Sequence, residues 1–205
     1  MQDAALRKAP VVVIGGGPSA RELTLERLWG RAYVIAINDS ARRLPWADVV
    51  FSADGRWLRM RARFIEDFAG RKIAVIPPWL SPPAIEGIEV VRRMPGVGVS
   101  DDREAVYFGD NSGFAALNWA SAVLISRRIA LVGFDMNGGG WWHSGYEWPV
   151  NLKADTQATW ADGFAQIASK LRDRGLDIVN VNPRSAIRCF RFASFDSVVE
   201  GTAWQ

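Results

Sequence analysis

The stretch "VVVIGGGPSAREL" (Val11–Leu23) decides the fold. A β-branched run apolar at every position stops at three consecutive glycines. Such a run suits a parallel strand buried on both faces. Gly15 to Ala20 also satisfy the loose G-x-G-x-x-G/A pattern that opens a dinucleotide-binding strand–loop–helix unit. The same device, backbone N–H groups at a helix start, can hold the phosphate of a different ligand. The surrounding residues favour that second use. Asn38 stands first at the end of the next strand, where an acidic ribose ligand belongs, with Asp39 behind it. "SARELTLERLWG" carries a capping-box pair, Ser19 and Glu22, and then Thr24, rather than the long small-residue helix that packs under a pyrophosphate. At 205 residues the chain also barely allows the second domain of a flavin enzyme. The expectation is that neither flavin nor NAD binds and that no cofactor is tightly held.

Outward from this stretch, short β-branched runs alternate with helical patterns. "AYVIAI" (32–37), "DVVFSA" (48–53), "KIAVI" (72–76), "IALVGF" (129–134) and "LDIVNV" (176–181) read as strands. "SARELTLERLW", "GRWLRMRARFIEDF", "NSGFAALNWASAVLIS" and "ATWADGFAQIASKLRDRG" read as helices between them. The pattern predicts one doubly wound, mainly parallel, Rossmann-like α/β domain over residues 1–205, with helices on both faces. Residues 77–110 break the rhythm with prolines and predict an irregular excursion holding one or two short strands.

Composition narrows the function. Hydrophobic residues make up 49% and charged residues 23%, values of a soluble globular domain. No run approaches a membrane span, and "MQDAALRKAP" lacks the apolar core of a signal peptide, which points to the cytoplasm. A net charge of +3 suits a phosphate-bearing ligand, but no dense basic tract marks a nucleic-acid groove. "RWLRMRARF" (56–64) reads as the solvated face of a helix. Cys189 is the single cysteine, read as a buried structural thiol, and His143 the single histidine; together they exclude a disulfide framework and argue against a zinc site. Ten tryptophans are unusual at this length, and three of them recur in "GGGWWHSGYEWP" (138–149), where exposed indoles call for a ligand or partner to cover them. Its three glycines predict a mobile loop.

In open α/β sheets ligands bind beyond the carboxyl ends of the strands. The first strand ends at Gly15, Gly16, Gly17 and Ser19, the second at Asn38 and Asp39, and the third at Asp54. The strand from Ile129 ends at Asp135, and "DNSGFAAL" opens a helix at Asn111, Ser112 and Gly113, whose free N–H groups suit an anion. Each of these residues is also an ordinary cap or turn residue. Together they line one edge of one sheet.

The ordered set "VVIGGGPSARELTLERL", "VIAINDS", "WADVVFSADGRWL", "NSGFAALNWASAVLISRRIALVGFDMN" and "VNPRSAIRCF" resembles a phage-encoded family labelled norphogenetic proteins. That family is in turn similar to the bacterial sialyltransferases of glycosyltransferase family forty-two and to 6-hydroxymethylpterin diphosphokinase-like proteins. The resemblance implies a bacterial host cytoplasm and a cytidine-nucleotide sugar. Gly15, Gly17 and Ser19 would lie at the nucleotide, Asn38 by its base or ribose, and Ser112 and Gly113 by the phosphate. Asp135 closes the "GFD" strand end that matches the family's "GxD". The loop beyond it carries aromatic residues and a catalytic histidine in the family, here Trp141, Trp142, Tyr146 and Trp148 around His143. The phage relatives show two histidines there; this chain has one, and Trp148 occupies the place nearer the sialyltransferase base.

Three functions follow as expectations. The first is nucleotide-sugar-dependent glycosyl transfer to an acceptor, with His143 as base and the aromatic rings stacking on base or sugar. The second is Mg²⁺-dependent diphosphoryl transfer to a pterin-like alcohol, with Asp39, Asp54, Asp110 and Asp135 holding the metal. The third is a non-enzymatic accessory or binding protein. His143 is either the catalytic base or a loop histidine stacked among tryptophans.

Overall fold

A computed structural model describes residues 9–143, 145–148 and 153–205. Among them one sheet of nine parallel strands runs through the molecule. In chain order these are β1 (Val11–Ile14), β2 (Tyr33–Ile37), β3 (Val49–Ser52), β4 (Arg71–Ile76), β5 (Ile88–Met94), β6 (Ala105–Tyr107), β7 (Arg128–Val132), β8 (Asp177–Asn180) and β9 (Arg191–Phe192). Their spatial order is β6-β5-β4-β3-β2-β1-β7-β8-β9. The helices are α1 (Ser40–Arg43), α2 (Gly55–Met60), α3 (Ala62–Glu66), α4 (Ser112–Val123), α5 (Ala154–Asp173) and α6 (Phe195–Glu200).

The two-residue period of a strand divides the core between the faces. Val11, Val13, Ile35, Ile37, Val49 and Phe51 pack with α4 and α5 on one side. Val12, Ile14, Val34, Ala36 and Val50 pack with α2, α3 and α6 on the other. This is the doubly wound α/β fold expected from the alternation. All six apolar runs are strands, and the excursion holds two, β5 and β6.

Two local expectations give way to tertiary partners. Residues 19–29 form two 3₁₀ turns, Pro18–Ala20 and Leu25–Leu28, with no capping box. The Ser19 hydroxyl and amide, which would have capped a helix, donate instead to the Asp135 carboxylate at 2.7 and 3.1 Å. The single helix expected over 55–68 is broken at Arg61 (φ −114°, ψ 17°) into α2 and α3. The Arg61 side chain, far from lying on a solvated face, is 14% exposed and points at Asp39. Cys189 is half-buried against the core, and burial raises its thiol pKa to about 11, so it stays protonated and inert near neutrality.

Strands β1 to β6 advance in one direction. Helix α4 then carries the chain back beneath β1, β2 and β3, and β7 starts the other half against β1. The sheet therefore reverses between β1 and β7. Such a reversal opens a crevice beyond the strand ends. Among the described residues no helix is long and apolar enough to cross a membrane.

Candidate functional site

A cavity of about 480 Å³ lies at this reversal. Gly15, Gly16, Gly17, Asn38, Asp39, Asp54, Asn111, Ser112, Gly113, Asp135, Trp141, His143 and Tyr146 line it. Ser19, Trp142 and Trp148 do not line it. The strand ends and the α4 start thus converge as their sequence positions suggested.

The glycines answer the question raised by the fingerprint. A Cβ on Gly17 would collide with Asp135 Oδ2 and lie 2.5 Å from the Gly133 carbonyl. One on Gly16 would meet the Trp141 ring at 2.7 Å, and one on Gly15 the Gly133 carbonyl at 2.9 Å. All three glycines let the β1 loop pack against the loop that follows β7. The loop's amides are likewise committed. Gly15 and Gly17 donate to Val132 and Gly133 carbonyls at 2.8 Å, and Ala20 donates to Gly17 at 3.1 Å.

The carboxylates are held differently. Asp39 is 5% exposed, accepts from Trp57 Nε1 at 2.9 Å and faces Arg61 at 3.6 Å. Asp54 caps α2, accepting from the Arg56 and Trp57 amides at 2.8 and 3.1 Å. Asp135 accepts from Ser19 and from Asn182 Nδ2 (3.0 Å), and burial raises its pKa above the ordinary carboxylate value. Asp110 is exposed. Among the described residues no group of three His, Cys, Asp or Glu is placed to hold a metal ion.

Asn38 adopts φ +50°, which turns the chain sharply after β2. Its buried Oδ1 has no hydrogen-bond partner among the described residues. Across from it, burial beside Asp39 and Asp54 pushes the Tyr146 phenol upward, so Tyr146 remains a hydrogen-bond donor at physiological pH. On the α4 side, Asn111 caps the helix by accepting from the Phe114 amide at 3.0 Å. The Ser112 hydroxyl accepts from the Ala53 amide at 3.2 Å, fixing the helix start to the end of β3.

The aromatic loop is seated on the glycine loop. The Trp142 amide donates to the Gly16 carbonyl at 2.8 Å, and Arg21 Nε donates to the Trp142 carbonyl at 3.0 Å. Gln157, 4% exposed, accepts from the Gly138 amide (3.0 Å) and donates to the Gly139 carbonyl (3.1 Å). The rings cover one another. Trp141 stacks on His143, Tyr146 stacks on Trp148, and Arg43 and Arg61 lie over Trp142 and Trp148. Pro149, the end of the loop as read from the sequence, lies outside the described residues. His143 Nδ1 is 3.2 Å from both the amide and the carbonyl of Gly145. When Nδ1–H donates to that carbonyl, the lone pair of the neutral imidazole is on Nε2.

Sequence reasoning missed Arg93, Phe108 and Trp160, all on the cavity wall. Arg93 comes from β5, inside the segment read as irregular, and its Cζ sits 3.7 Å from the centre of the Phe108 ring.

Fold and cavity together define a Rossmann-like α/β protein with a crevice at its topological switch point. No family model matches the chain, and no curated protein matches it. Among solved structures it is similar to the MAf glycosyltransferase from Magnetospirillum magneticum AMB-1, with a TM-score of 0.66 at 15% identity. The match covers 95% of this chain and 37% of that one, so the chain spans little more than a third of the length of the structure it resembles. At this identity the likeness establishes a shared fold.

Proposed function

We propose that this chain is a nucleotide-sugar-dependent glycosyltransferase module. The observation that carries the reading is the convergence on one switch-point cavity of aromatic faces, a helix start and the single imidazole. The fold shared with a protein described as a glycosyltransferase supports it. So does the resemblance of the ordered motifs to the phage family and to the cytidine-nucleotide-using sialyltransferases, which makes a CMP-sugar the first donor to test. The nucleotide is a substrate rather than a resident cofactor. Asn38 and Tyr146 then face its base or ribose, and Trp141 supplies a stacking surface for base or sugar.

The reaction is an inverting displacement. His143 Nε2 takes the proton of the acceptor hydroxyl as the oxygen attacks the anomeric carbon, while the nucleotide phosphate leaves with the bonding pair. The Nδ1 contact to the Gly145 carbonyl orients the ring and stabilises the imidazolium that forms. First-turn N–H groups of α4 face the departing charge.

A thermal-shift screen against CMP, UDP, GDP, ATP and CMP-sugars, with and without Mg²⁺, tests the reading on the intact chain. CMP or a CMP-sugar should raise the melting temperature without metal. Stabilisation by ATP alone, and only with Mg²⁺, would transfer the site to diphosphoryl transfer; no response to any nucleotide would leave a binding protein. With a substrate in hand, His143→Ala should lower turnover about 10²–10⁴-fold at little cost in nucleotide affinity. Unchanged turnover would remove His143 from the mechanism.

A further inference from the structure

The fingerprint points to the glycine loop as the phosphate site, yet that loop has little left to offer an anion. Gly15, Gly17, Ser19 and Ala20 spend their amides inside the protein, and Pro18 has none. Gly16 lies under the Trp141 ring. The Asp135 carboxylate stands at the same place and would repel a phosphate.

The opposite wall has the reverse character. Arg93 is the one arginine or lysine lining the cavity among the described residues. Its guanidinium carbon sits over the Phe108 ring, and it makes no hydrogen bond or ion pair to any described residue. Partial burial lowers its pKa, and the Asp110 carboxylate acts through space against that shift. Phe108 links Arg93 to the start of α4, because its carbonyl accepts from the Asn111 amide at 3.1 Å. The Asn111 side chain caps the Phe114 amide, and the Ser112 and Gly113 amides have no described partner. A planar guanidinium and two first-turn N–H groups lining one cavity offer the donors that phosphate oxygens accept from.

We propose that Arg93 is the anion anchor of this cavity and holds the phosphate of the nucleotide on the β5–α4 side, away from the glycine loop. This rests on the reading of the cavity as a site for a phosphate-bearing substrate. Asp110 acts against the anchor: its carboxylate offsets part of the Arg93 charge before the ligand arrives. The ligand therefore lies across the strand ends with its phosphate at Arg93 and its nucleoside toward Asn38 and Tyr146.

Isothermal titration of the full chain with inorganic pyrophosphate at low salt tests the anchor without assuming any nucleotide. Arg93→Gln should weaken pyrophosphate binding about tenfold or more, the scale of a lost charge-assisted bidentate contact. Asp110→Asn should tighten it about threefold by removing a neighbouring like charge. Asp110 has φ +53°, a conformation asparagine adopts readily, so this variant keeps the fold even if Arg93→Gln does not. In parallel, wild-type protein should prefer CMP to cytidine, and Arg93→Gln should erase that preference while leaving cytidine affinity unchanged. Pyrophosphate binding that ignores Arg93, or that Asp110→Asn weakens, overturns the anchor. Arg93-dependent pyrophosphate binding without any nucleotide binding sinks the glycosyltransferase reading and leaves the anchor standing.

Discussion

At the scale of single residues, the contact between Asp135 and Ser19 organises the site. It replaces a helix cap by a tie between two loops and fixes where the β1 and β7 ends meet. The carboxylate is paired with neutral donors, and burial raises its pKa, so its ionisation works against the folded state. The sign follows directly. Below the ordinary carboxylate pKa, about 4, Asp135 is protonated in both states and costs nothing. The cost grows as pH rises through that value to the raised native one, and is complete above it. Asp135→Asn keeps one oxygen for the Ser19 and Asn182 donors and places an N–H₂ group opposite the Ser19 hydroxyl, which can accept. Its melting temperature relative to wild type should therefore be highest at neutral pH and fall as the solution is acidified. A difference that grows toward low pH would show that the carboxylate stabilises the fold.

Among the secondary-structure elements, helix α4 sets the cavity floor and depends on one cap. Losing the Asn111 side chain strands the Phe114 amide. Asn111→Ala should cost about 1 kcal/mol, a drop of about 2–4 °C in Tm for a chain of this size, measured by thermal unfolding. An unchanged Tm would mean that α4 is held by packing alone. The elements also show what could be read in the chain beforehand. Runs such as "VVVI" and "YVIAI" are legible because burial on both faces leaves no polar position. Strand β5 was hidden because Glu89, Val90 and Arg92 are exposed and only Val91 is fully buried. The 19–29 segment misled because local capping lost to Asp135, more than a hundred residues away. Strand-end logic found most of the cavity wall. Arg93 escaped it because it lies beside a second arginine in a segment read as irregular, and Arg61, buried against Asp39 behind the site, was hidden in an arginine-rich run; in both, spacing cannot distinguish an inward guanidinium from a solvated one.

For the molecule as a whole, the sheet order has a consequence for how the chain is made. Val11 pairs with Tyr33 on one side and with Ile129 on the other. During synthesis the first six strands emerge in their spatial order and can assemble as they appear, whereas the second partner of β1 arrives only after α4. Until then β1 is a bare edge of four fully apolar residues, a template for pairing with another nascent chain. A fragment ending at Arg127 should therefore self-associate, as seen by light scattering, under conditions in which the full chain stays dispersed; a monodisperse, folded fragment would refute this. The same sheet reversal that opens the cavity thus leaves the emerging chain sticky from the synthesis of β1 until the arrival of β7 ends that exposure.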